Sequence, residues 1–297
     1  MKKELLALLL ALTMGLTLAA CSNGDNTADK GTDASAAPST AAEEGTAPDD
    51  SKPAEGDSDL AYVKEKGTLV VGITNFEPMD YQDASGEWIG FDADMAKAFA
   101  ASLGVNVEFS EINWDYKVFE LDGKTIDCVW NGMTLNDEVM AAMSTSVPYC
   151  VNAQVLVVPT DKAAEFTDLA TLEGLSVAVE AGSAGEDAAE ALGASTTPVQ
   201  KQSDTLLEVS AGASDAAVID LLMAGAMIGE GTSYDNLTFT LNLNTVQGLD
   251  SENYGVGFRT GSDLVEAFND FWAASVTDGT ALSTAEAYGV QESVILD

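Results

Sequence analysis

The sequence predicts an α/β fold of two similar lobes joined by two extended crossovers. From residue 60 onward, short β-branched runs alternate with helical segments, which is typical of sheets covered by helices. The same alternation begins again after a long extended run at residues 153–159. Residues 60–297 also suffice for two compact domains of roughly 100 to 150 residues each.

The first 20 residues have the pattern of a secretory signal peptide. Two lysines follow Met1, and residues 5–20 carry no charge and end in Leu18-Ala19-Ala20. This apolar run is shorter than the roughly 20 residues that a membrane-spanning helix needs. With Cys21 it resembles the bacterial lipobox, in which the cysteine is acylated and becomes the new N-terminus. We expect lipidation at Cys21; ordinary signal cleavage beside an unrelated cysteine is the alternative.

Residues 21–59 have the composition of an acidic tether. They are mainly Ala, Ser, Thr, Gly, Pro, Asp and Glu, and no aromatic or large aliphatic residue occurs before Leu60. Such a segment buries too little apolar surface to offset its chain entropy, so we expect it to be disordered. We then place lobe 1 at residues 60–154 and 253–297, and lobe 2 with its hinges at residues 155–252.

In the first lobe, the β-branched run 67–73 lies between glycines and predicts a buried strand. Residues 90–104 predict a helix, since Met95, Phe99 and Leu103 have helical spacing and Gly104 is a C-terminal stop. Further elements of this lobe are strands 105–112 and 126–130 and helices 116–121 and 136–143. This order predicts a largely parallel sheet with helices on its faces.

The second lobe repeats the pattern after the extended run 153–159. It has predicted strands 175–179 and 216–219 and predicted helices 187–192 and 205–211. The chain then returns with a closing strand at 253–258 and a last helix at 262–277. Two such units joined by extended crossovers predict a hinged clamshell.

The composition excludes several classes of function. A formal net charge of −37 argues against nucleic acid, because neutralising phosphates needs clustered Lys and Arg. The chain has no histidine and no zinc-type cysteine spacing, so we expect no metal and no cofactor. After Cys21 only Cys128 and Cys150 remain, and we expect two buried free thiols, with a disulfide as the alternative.

Six short motifs follow one another in register along the folded part. They are residues 90–98 (Gly-Phe-Asp-Ala-Asp-Met-Ala-Lys-Ala), 127–134, 147–149 with 154–158, 180–186, 215–220 and 254–259. Together they resemble the family 3 extracellular solute-binding proteins, the polar amino acid receptors of ABC importers. The resemblance covers essentially all of residues 60–297. It implies a type II periplasmic-binding-protein-like clamshell that closes on its ligand.

The resemblance also implies where an amino acid would bind. Asp220 matches the aspartate that pairs with the α-ammonium group, and Gly132 and Thr134 match positions that contact the ammonium and carboxylate groups. Ser183 and Ala184 lie at the start of a helix, where backbone N–H groups favour the same anion.

Aromatic residues are expected around the ligand side chain. Phe76 and Trp114 match the two enclosing positions, where ring faces supply apolar area and can hold a cation. Asn131 is expected in the site, and Glu77 and Asn113 beside it. Each of these residues has a structural alternative, namely core packing for the aromatic rings and capping or turn roles for the polar side chains.

Position 139 departs from the family pattern. The family has an arginine there that forms a bidentate pair with the α-carboxylate, and this sequence has Val139. In one reading the ligand is still an amino acid, held by backbone N–H groups, Thr134 and a lysine such as Lys117. In the other the ligand is an amine or another cation without that carboxylate.

These expectations combine into one function. The chain should be a monomeric, extracytoplasmic, membrane-anchored lipoprotein that delivers a small amino acid to an ABC transporter permease. An enzyme such as a dehydratase or lyase is the alternative class, with Glu77 and Glu180 as candidate carboxyls, but no nucleophile motif or histidine supports it. A receptor that signals instead of transporting has the same sequence features.

Overall fold

The computed structural model describes residues 58–244 and 252–297. These residues belong to one compact unit, residues 50–297. The predicted signal peptide, Cys21 and nearly all of the predicted tether lie outside the described residues. Within the described ranges, no helix is both long enough and apolar enough to cross a bilayer.

The described residues form thirteen strands and nine α-helices. The strands are β1 Thr68–Ile73, β2 Tyr81–Gln82, β3 Trp88–Ile89, β4 Asn106–Glu111, β5 Cys128–Thr134, β6 Ser144–Thr145, β7 Cys150–Asn152, β8 Gln154–Pro159, β9 Ser176–Glu180, β10 Ser195–Val199, β11 Ala216–Asp220, β12 Leu237–Asn242 and β13 Glu252–Phe258. The α-helices are α1 Asp59–Lys66, α2 Phe91–Leu103, α3 Lys117–Asp122, α4 Asp137–Ala142, α5 Ala184–Ala191, α6 Gln202–Ser210, α7 Leu221–Met227, α8 Leu264–Asp278 and α9 Thr280–Tyr288. Short 3₁₀ helices cover Trp114–Tyr116, Thr160–Glu165 and Leu169–Leu172.

Two mixed sheets form the centres of two lobes. The first sheet has the order β4-β1-β5-β13-β6, and β7 also pairs with β13. The second sheet has the order β10-β9-β11-β8-β12. The fourth strand is β13 in the first sheet and β8 in the second, and each follows a crossover from the other lobe. The two lobes therefore have the same topology.

The crossovers make the sheets less parallel than the sequence alone predicts. β1 pairs in parallel with β4 and β5, and β9 with β10 and β11. The crossing strands β13 and β8 are antiparallel to β5 and β11, because they enter each sheet from the opposite direction. The extended run predicted at 153–159 is β8 within the second sheet, so the chain passes between the sheets at Ala153.

Aromatic side chains fill much of the first lobe. Trp130 of β5 packs edge-on against Phe268 of α8, with ring centroids 4.9 Å apart, and Tyr149 lies 5.6 Å from Trp272. All four side chains are buried. The apolar faces of α2 and α8 therefore lie on the sheet, as the spacing of Met95, Phe99 and Leu103 predicts for α2.

Helix α1 is an element that the sequence reasoning did not predict. Ser58 caps it by accepting a hydrogen bond from the N–H of Ala61, and the Ser58 hydroxyl donates to Asp263 at 2.5 Å. The guanidinium of Arg259 donates through Nε to both carboxylate oxygens of Asp59, each at 3.0 Å. The first residues of the described chain are therefore fastened to the first lobe.

The two cysteines of the described part are buried and unpaired. Burial raises the pKa of both the Cys128 and the Cys150 thiol. This agrees with the expectation of two small buried thiols and not with the alternative of a disulfide.

Candidate functional site

A cavity of about 130 Å³ lies between the lobes, where β5 and β11 end. Both lobes contribute to its wall. The first lobe supplies Thr74, Phe76, Trp114, Asp115, Lys117, Val118, Asn131, Gly132, Met133, Thr134, Asn136, Glu138, Val139 and Ala142. The second lobe supplies Gln154, Glu180, Gly182, Ser183, Ala184, Asp187, Gln202 and Asp220.

Asp220, the last residue of β11, is held by a set of hydrogen-bond donors. Its Oδ1 accepts from Asn152 Nδ2 at 2.5 Å, from Gln154 Nε2 at 3.0 Å and from the Tyr254 hydroxyl at 2.5 Å. Its Oδ2 accepts from Gln202 Nε2 at 2.5 Å. The side chain is 5% exposed, and burial raises the pKa of Asp220 while these donors oppose the rise. The carboxylate is thus fixed in orientation at the cavity wall.

A second buried carboxylate, Glu252, shares two of these donors. Asn152 Nδ2 and Gln154 Nε2 each donate to Glu252 Oε1, the latter at 2.8 Å. Burial and the charge of Asp220 raise the pKa of Glu252 to about 8. Asn152 ends β7, Gln154 begins β8 and Glu252 begins β13. The shared amides therefore connect the two crossovers to the site carboxylate.

Glu180 is a third buried carboxylate and lines the cavity. Its Oε1 accepts from the backbone N–H of Gln202 at 3.2 Å. Burial, followed by repulsion from Asp220, raises the pKa of Glu180 to about 8. Of the three buried carboxyl groups, Asp220 and Glu180 line the cavity, and a positively charged group placed between them would stabilise their ionised forms.

The end of β5 brings the backbone close to the cavity. Gly132 has φ +55°, and a Cβ added there would lie 2.4 Å from Phe76 Cε1, so no other residue fits without displacing the ring. The Gly132 N–H donates to the buried Asp92 at 2.7 Å. Asn131 donates through Nδ2 to the Thr74 hydroxyl at 2.8 Å. The hydrogen bonds hold the end of β5, and the absence of a side chain at Gly132 lets the Phe76 ring lie directly against it.

Lys117 brings a positive charge to the cavity from the start of α3. Its Nζ donates to the carbonyl of Gly182 in the other lobe at 2.9 Å and to the Trp114 carbonyl at 3.3 Å. The ammonium also lies 4.9 Å from the centre of the Trp114 ring. Burial lowers the pKa of Lys117, an effect that Glu180 and other nearby carboxylates oppose.

The lobes are in contact around the cavity. Lys201 of the second lobe forms an ion pair with Glu111 of the first at 2.5 Å. Gly182 lies so close to Asp115 that an added Cβ would be 2.9 Å from Asp115 Cα. The structure is therefore that of a closed clamshell.

Comparison with known proteins identifies the family. A family model described as bacterial extracellular solute-binding proteins, family 3, matches residues 69–291. The chain belongs to this family.

Three relatives illustrate the range of family 3 members that this chain resembles. The L-cystine-binding protein TcyJ of Escherichia coli is 28% identical over 231 residues, which cover 76% of this chain and 84% of TcyJ. A mutant of ArgBP from T. maritima has 29% identity and a TM-score of 0.71, with 77% of this chain and 98% of that one covered. The ancestral amino acid-binding protein AncCDT-1, described as a precursor of cyclohexadienyl dehydratase, has 28% identity and a TM-score of 0.69, with 78% and 99% covered.

Besides Lys117 and Glu180, the cavity of this family 3 protein brings together nine residues that the sequence singled out. They are Phe76, Trp114, Asn131, Gly132, Thr134, Val139, Ser183, Ala184 and Asp220. Glu77 lies instead on a separate groove with Tyr81 and Leu221. Asn113 is not among the lining residues either, and its side chain accepts from the N–H of Asp115 at 3.2 Å. The ligand contacts of all these residues remain predictions.

Sequence reasoning missed most of the polar residues that support Asp220. Tyr254 and Gln154 both lie in motifs that signalled the family, but their side-chain roles depend on the two crossovers meeting. Glu252 directly precedes a predicted strand, which gave no sign of a buried carboxylate. Gln202 follows a lysine in a polar stretch, and nothing in the sequence pointed to it.

Proposed function

We propose that this chain is the extracytoplasmic substrate-binding lipoprotein of an ABC importer, and that it captures a small amino acid by closing its two lobes. The observation that carries the proposal is the buried Asp220 carboxylate at the wall of the cavity between the lobes. A desolvated carboxylate with fixed geometry favours a cationic nitrogen, and an α-ammonium group supplies one. Relatives named for binding cystine and arginine support an amino acid as the ligand class.

The size of the cavity supports a small ligand. A cavity of about 130 Å³ is close to the roughly 150 Å³ of an engineered cavity that accepts benzene, a molecule of six heavy atoms. Alanine, serine and cysteine have six or seven non-hydrogen atoms. These amino acids fit the closed lobes better than arginine, which would need the walls to move apart.

Closure follows from the position of the site between the lobes. A ligand that contacts β5 of the first lobe and β11 of the second makes all of its contacts only when the lobes are together. Such a ligand shifts the hinge equilibrium towards the closed form by its difference in affinity. The ion pair between Lys201 and Glu111 and the bond from Lys117 to the Gly182 carbonyl add contacts that exist only in that form.

The membrane anchor and the permease partner rest on the sequence and the family. Residues 18–21 resemble a lipobox, and family membership implies an ABC permease as the partner. We expect a monomer held at the outer face of the cell membrane by a lipid on Cys21. Cys21→Ala should release the protein from the membrane fraction, whereas retention of this variant would contradict the anchor.

An amine or other cation without an α-carboxylate is the second candidate ligand. The acidic residues of the cavity favour it, since Asp115, Glu138, Asp187 and Asp220 line the wall and Glu180 can ionise beside a bound cation. Among the described lining residues, Lys117 is the only cation to oppose them. We favour the amino acid because, at every matched position except 139, the chain has the residue that the family uses to bind an α-amino acid.

Ligand binding without chemical change is the expected activity. AncCDT-1 shows that a dehydratase lineage is related to this fold, and Glu180 is the one predicted catalytic carboxyl that reaches the cavity. Glu77, the other, lies outside it. A bound amino acid recovered unchanged after long incubation would support binding, and a converted product would support an enzyme.

A thermal-shift screen tests the ligand class. Free amino acids and their decarboxylated amines are compared, because a ligand that binds only the folded state raises the melting temperature. We expect at least one small amino acid to raise it, and Asp220→Asn to weaken its binding about a hundredfold. Stabilisation by amines alone would favour the second candidate, and undiminished binding to Asp220→Asn would refute the assigned site. Small-angle scattering should show compaction on saturation if closure is the mechanism.

A further inference from the structure

Position 139 leaves an amino acid without the arginine that family members use for its carboxylate. Val139 lines the cavity and is buried, so no cation comes from this position. A carboxylate enclosed without a positive partner would lose much of its hydration and bind weakly. A small amino acid therefore needs another cation in the cavity wall.

We propose that Lys117 pairs with the ligand carboxylate and so determines whether this protein prefers amino acids to amines. The inference rests on the proposed function and deepens it. Lys117 is carried by α3 in the first lobe, at a position remote in sequence from Val139. Both side chains nevertheless line the same cavity.

The hydrogen bonds of Lys117 leave capacity for an anion. An ammonium group has three N–H donors, and the carbonyls of Trp114 and Gly182 accept two of them. Within residues 58–244 and 252–297, Lys117 forms no ion pair with a carboxylate. Lys117 is half-buried, and a ligand carboxylate would give its ammonium a direct ion-pair partner.

The second lobe presents anion-binding groups next to the same ammonium. Gly182 is followed directly by Ser183, which caps the eight-residue helix α5. Backbone N–H groups at a helix start favour a negative charge. The Gly182 N–H already donates to Glu186 at 2.7 Å and the Ser183 N–H to the Glu180 carbonyl at 3.2 Å, so contact with a ligand anion would fall to the N–H groups of Ala184 and Gly185. Lys117 from one lobe and the start of α5 from the other therefore converge, and a carboxylate between them would contact both lobes.

Asp220 lines the same cavity and completes a recognition pattern of two charges. Its carboxylate would hold the ammonium of the amino acid, and Lys117 would hold the carboxylate. The acidic wall then selects for the positive end of the ligand, while Lys117 selects against ligands that lack a negative end. A plain amine would leave Lys117 without a direct ion-pair partner in the cavity.

A simpler role for Lys117 is to fasten the closed lobes through the Gly182 carbonyl. The two roles differ in what a variant loses. If Lys117 only fastens the lobes, its removal weakens every ligand by the same factor. If Lys117 pairs with a carboxylate, its removal lowers the affinity for amino acids and leaves the affinity for the matched amines nearly unchanged.

Calorimetric titration of Lys117→Met separates these roles, with Lys201→Met as the matched control. Lys201 also joins the lobes, through Glu111, but does not line the cavity. The probes are L-alanine, L-serine and L-cysteine, each with its decarboxylated amine: ethylamine, ethanolamine and cysteamine. Circular dichroism confirms that each variant is folded.

We expect Lys117→Met to weaken the best-binding amino acid of the three about 10-fold to 100-fold and its amine less than about 3-fold. Lys117→Arg should keep most of the preference for the amino acid, and Lys201→Met should change both ligands equally. Equal losses for both ligands in Lys117→Met, or no loss, would overturn the inference and leave the proposed function standing. If the wild-type protein bound none of the three amino acids, the proposal of a small amino acid ligand would fail, and the inference with it.

Discussion

Closure of the lobes depends on the absence of a side chain at Gly182, and Gly182→Ala is the sharpest test of the closed structure. A Cβ at this position would lie 2.9 Å from both Cα and Oδ1 of Asp115 in the other lobe. The side-chain oxygen can rotate away, but the Cα is part of the backbone. The substitution therefore forces the lobes apart at the rim of the cavity.

The size of the effect follows from two separate costs. Overpacking of this kind costs about 1–3 kcal/mol, and it acts only in the closed form, so ligand affinity should fall about 5-fold to 150-fold. Gly182 also has φ +71°, a left-handed conformation that costs a residue with a Cβ roughly 1–2 kcal/mol. This second cost acts in the open and the closed form alike and should lower only the melting temperature.

Gly212→Ala is the control for backbone strain. Gly212 has φ +72° in the second lobe, and a Cβ added there would meet nothing within 4 Å. Titration calorimetry gives the affinity, and differential scanning fluorimetry gives the melting temperature. Both variants should melt lower by a similar amount, about 2–8 °C, while only Gly182→Ala loses affinity. Equal affinities for the two variants would show that the lobes do not close as the structure describes.

Two further predictions concern stability. Burial raises the pKa of Glu180 and of Glu252 to about 8 in the folded protein, so folding favours their neutral forms. Their contribution to the free energy of unfolding is therefore present at low pH and is lost as pH rises through about 8. Thermal melts of the ligand-free protein should show the free energy of unfolding falling between pH 6 and 8, by about 1.4 kcal/mol per pH unit for each glutamate. Glu252→Gln should reduce that slope, and an unchanged slope would contradict the assignment to Glu252. Arg259→Met should lower the free energy of unfolding by about 3–5 kcal/mol, because it leaves the buried carboxylate of Asp59 and the carbonyls of Leu121 and Ile126 without their donor. Scanning calorimetry should show the melting temperature about 10 °C lower, and a fall below about 3 °C would refute this role.

The parts of the fold with strong local patterns were predictable from sequence. The helix expected at 90–104 is α2 Phe91–Leu103, which has a glycine at each end. The strand expected at 67–73 is β1 Thr68–Ile73, which begins directly after Gly67. The helix α1 was missed because its charged sequence follows a polar tether and shows only weak amphipathic spacing. Its stability comes from Arg259 and Asp263, which lie about 200 residues away.

The candidate site was predictable where its residues lie in the sequence motifs that resemble the family. Asp220 and Thr134 end strands whose sequences carry recognisable motifs, and both line the cavity. The donors around Asp220 were not predictable, because Asn152 and Gln154 reach Glu252 only when the end of β7 and the start of β8 lie beside the start of β13. Local sequence carries no information on such a long-range contact. Lys117 was a candidate from the sequence because Val139 replaces the family arginine, and both residues line the cavity.

The attachment of α1 determines where mechanical load enters the folded protein. Ser58 and Asp59 are bonded to Asp263 and Arg259, and all four residues belong to the first lobe. Tension along the chain from any upstream anchor is therefore received by that lobe. If the proposed anchor and closure hold, the second lobe would move relative to the first without pulling on the upstream segment, and tension in that segment would not oppose capture of the ligand.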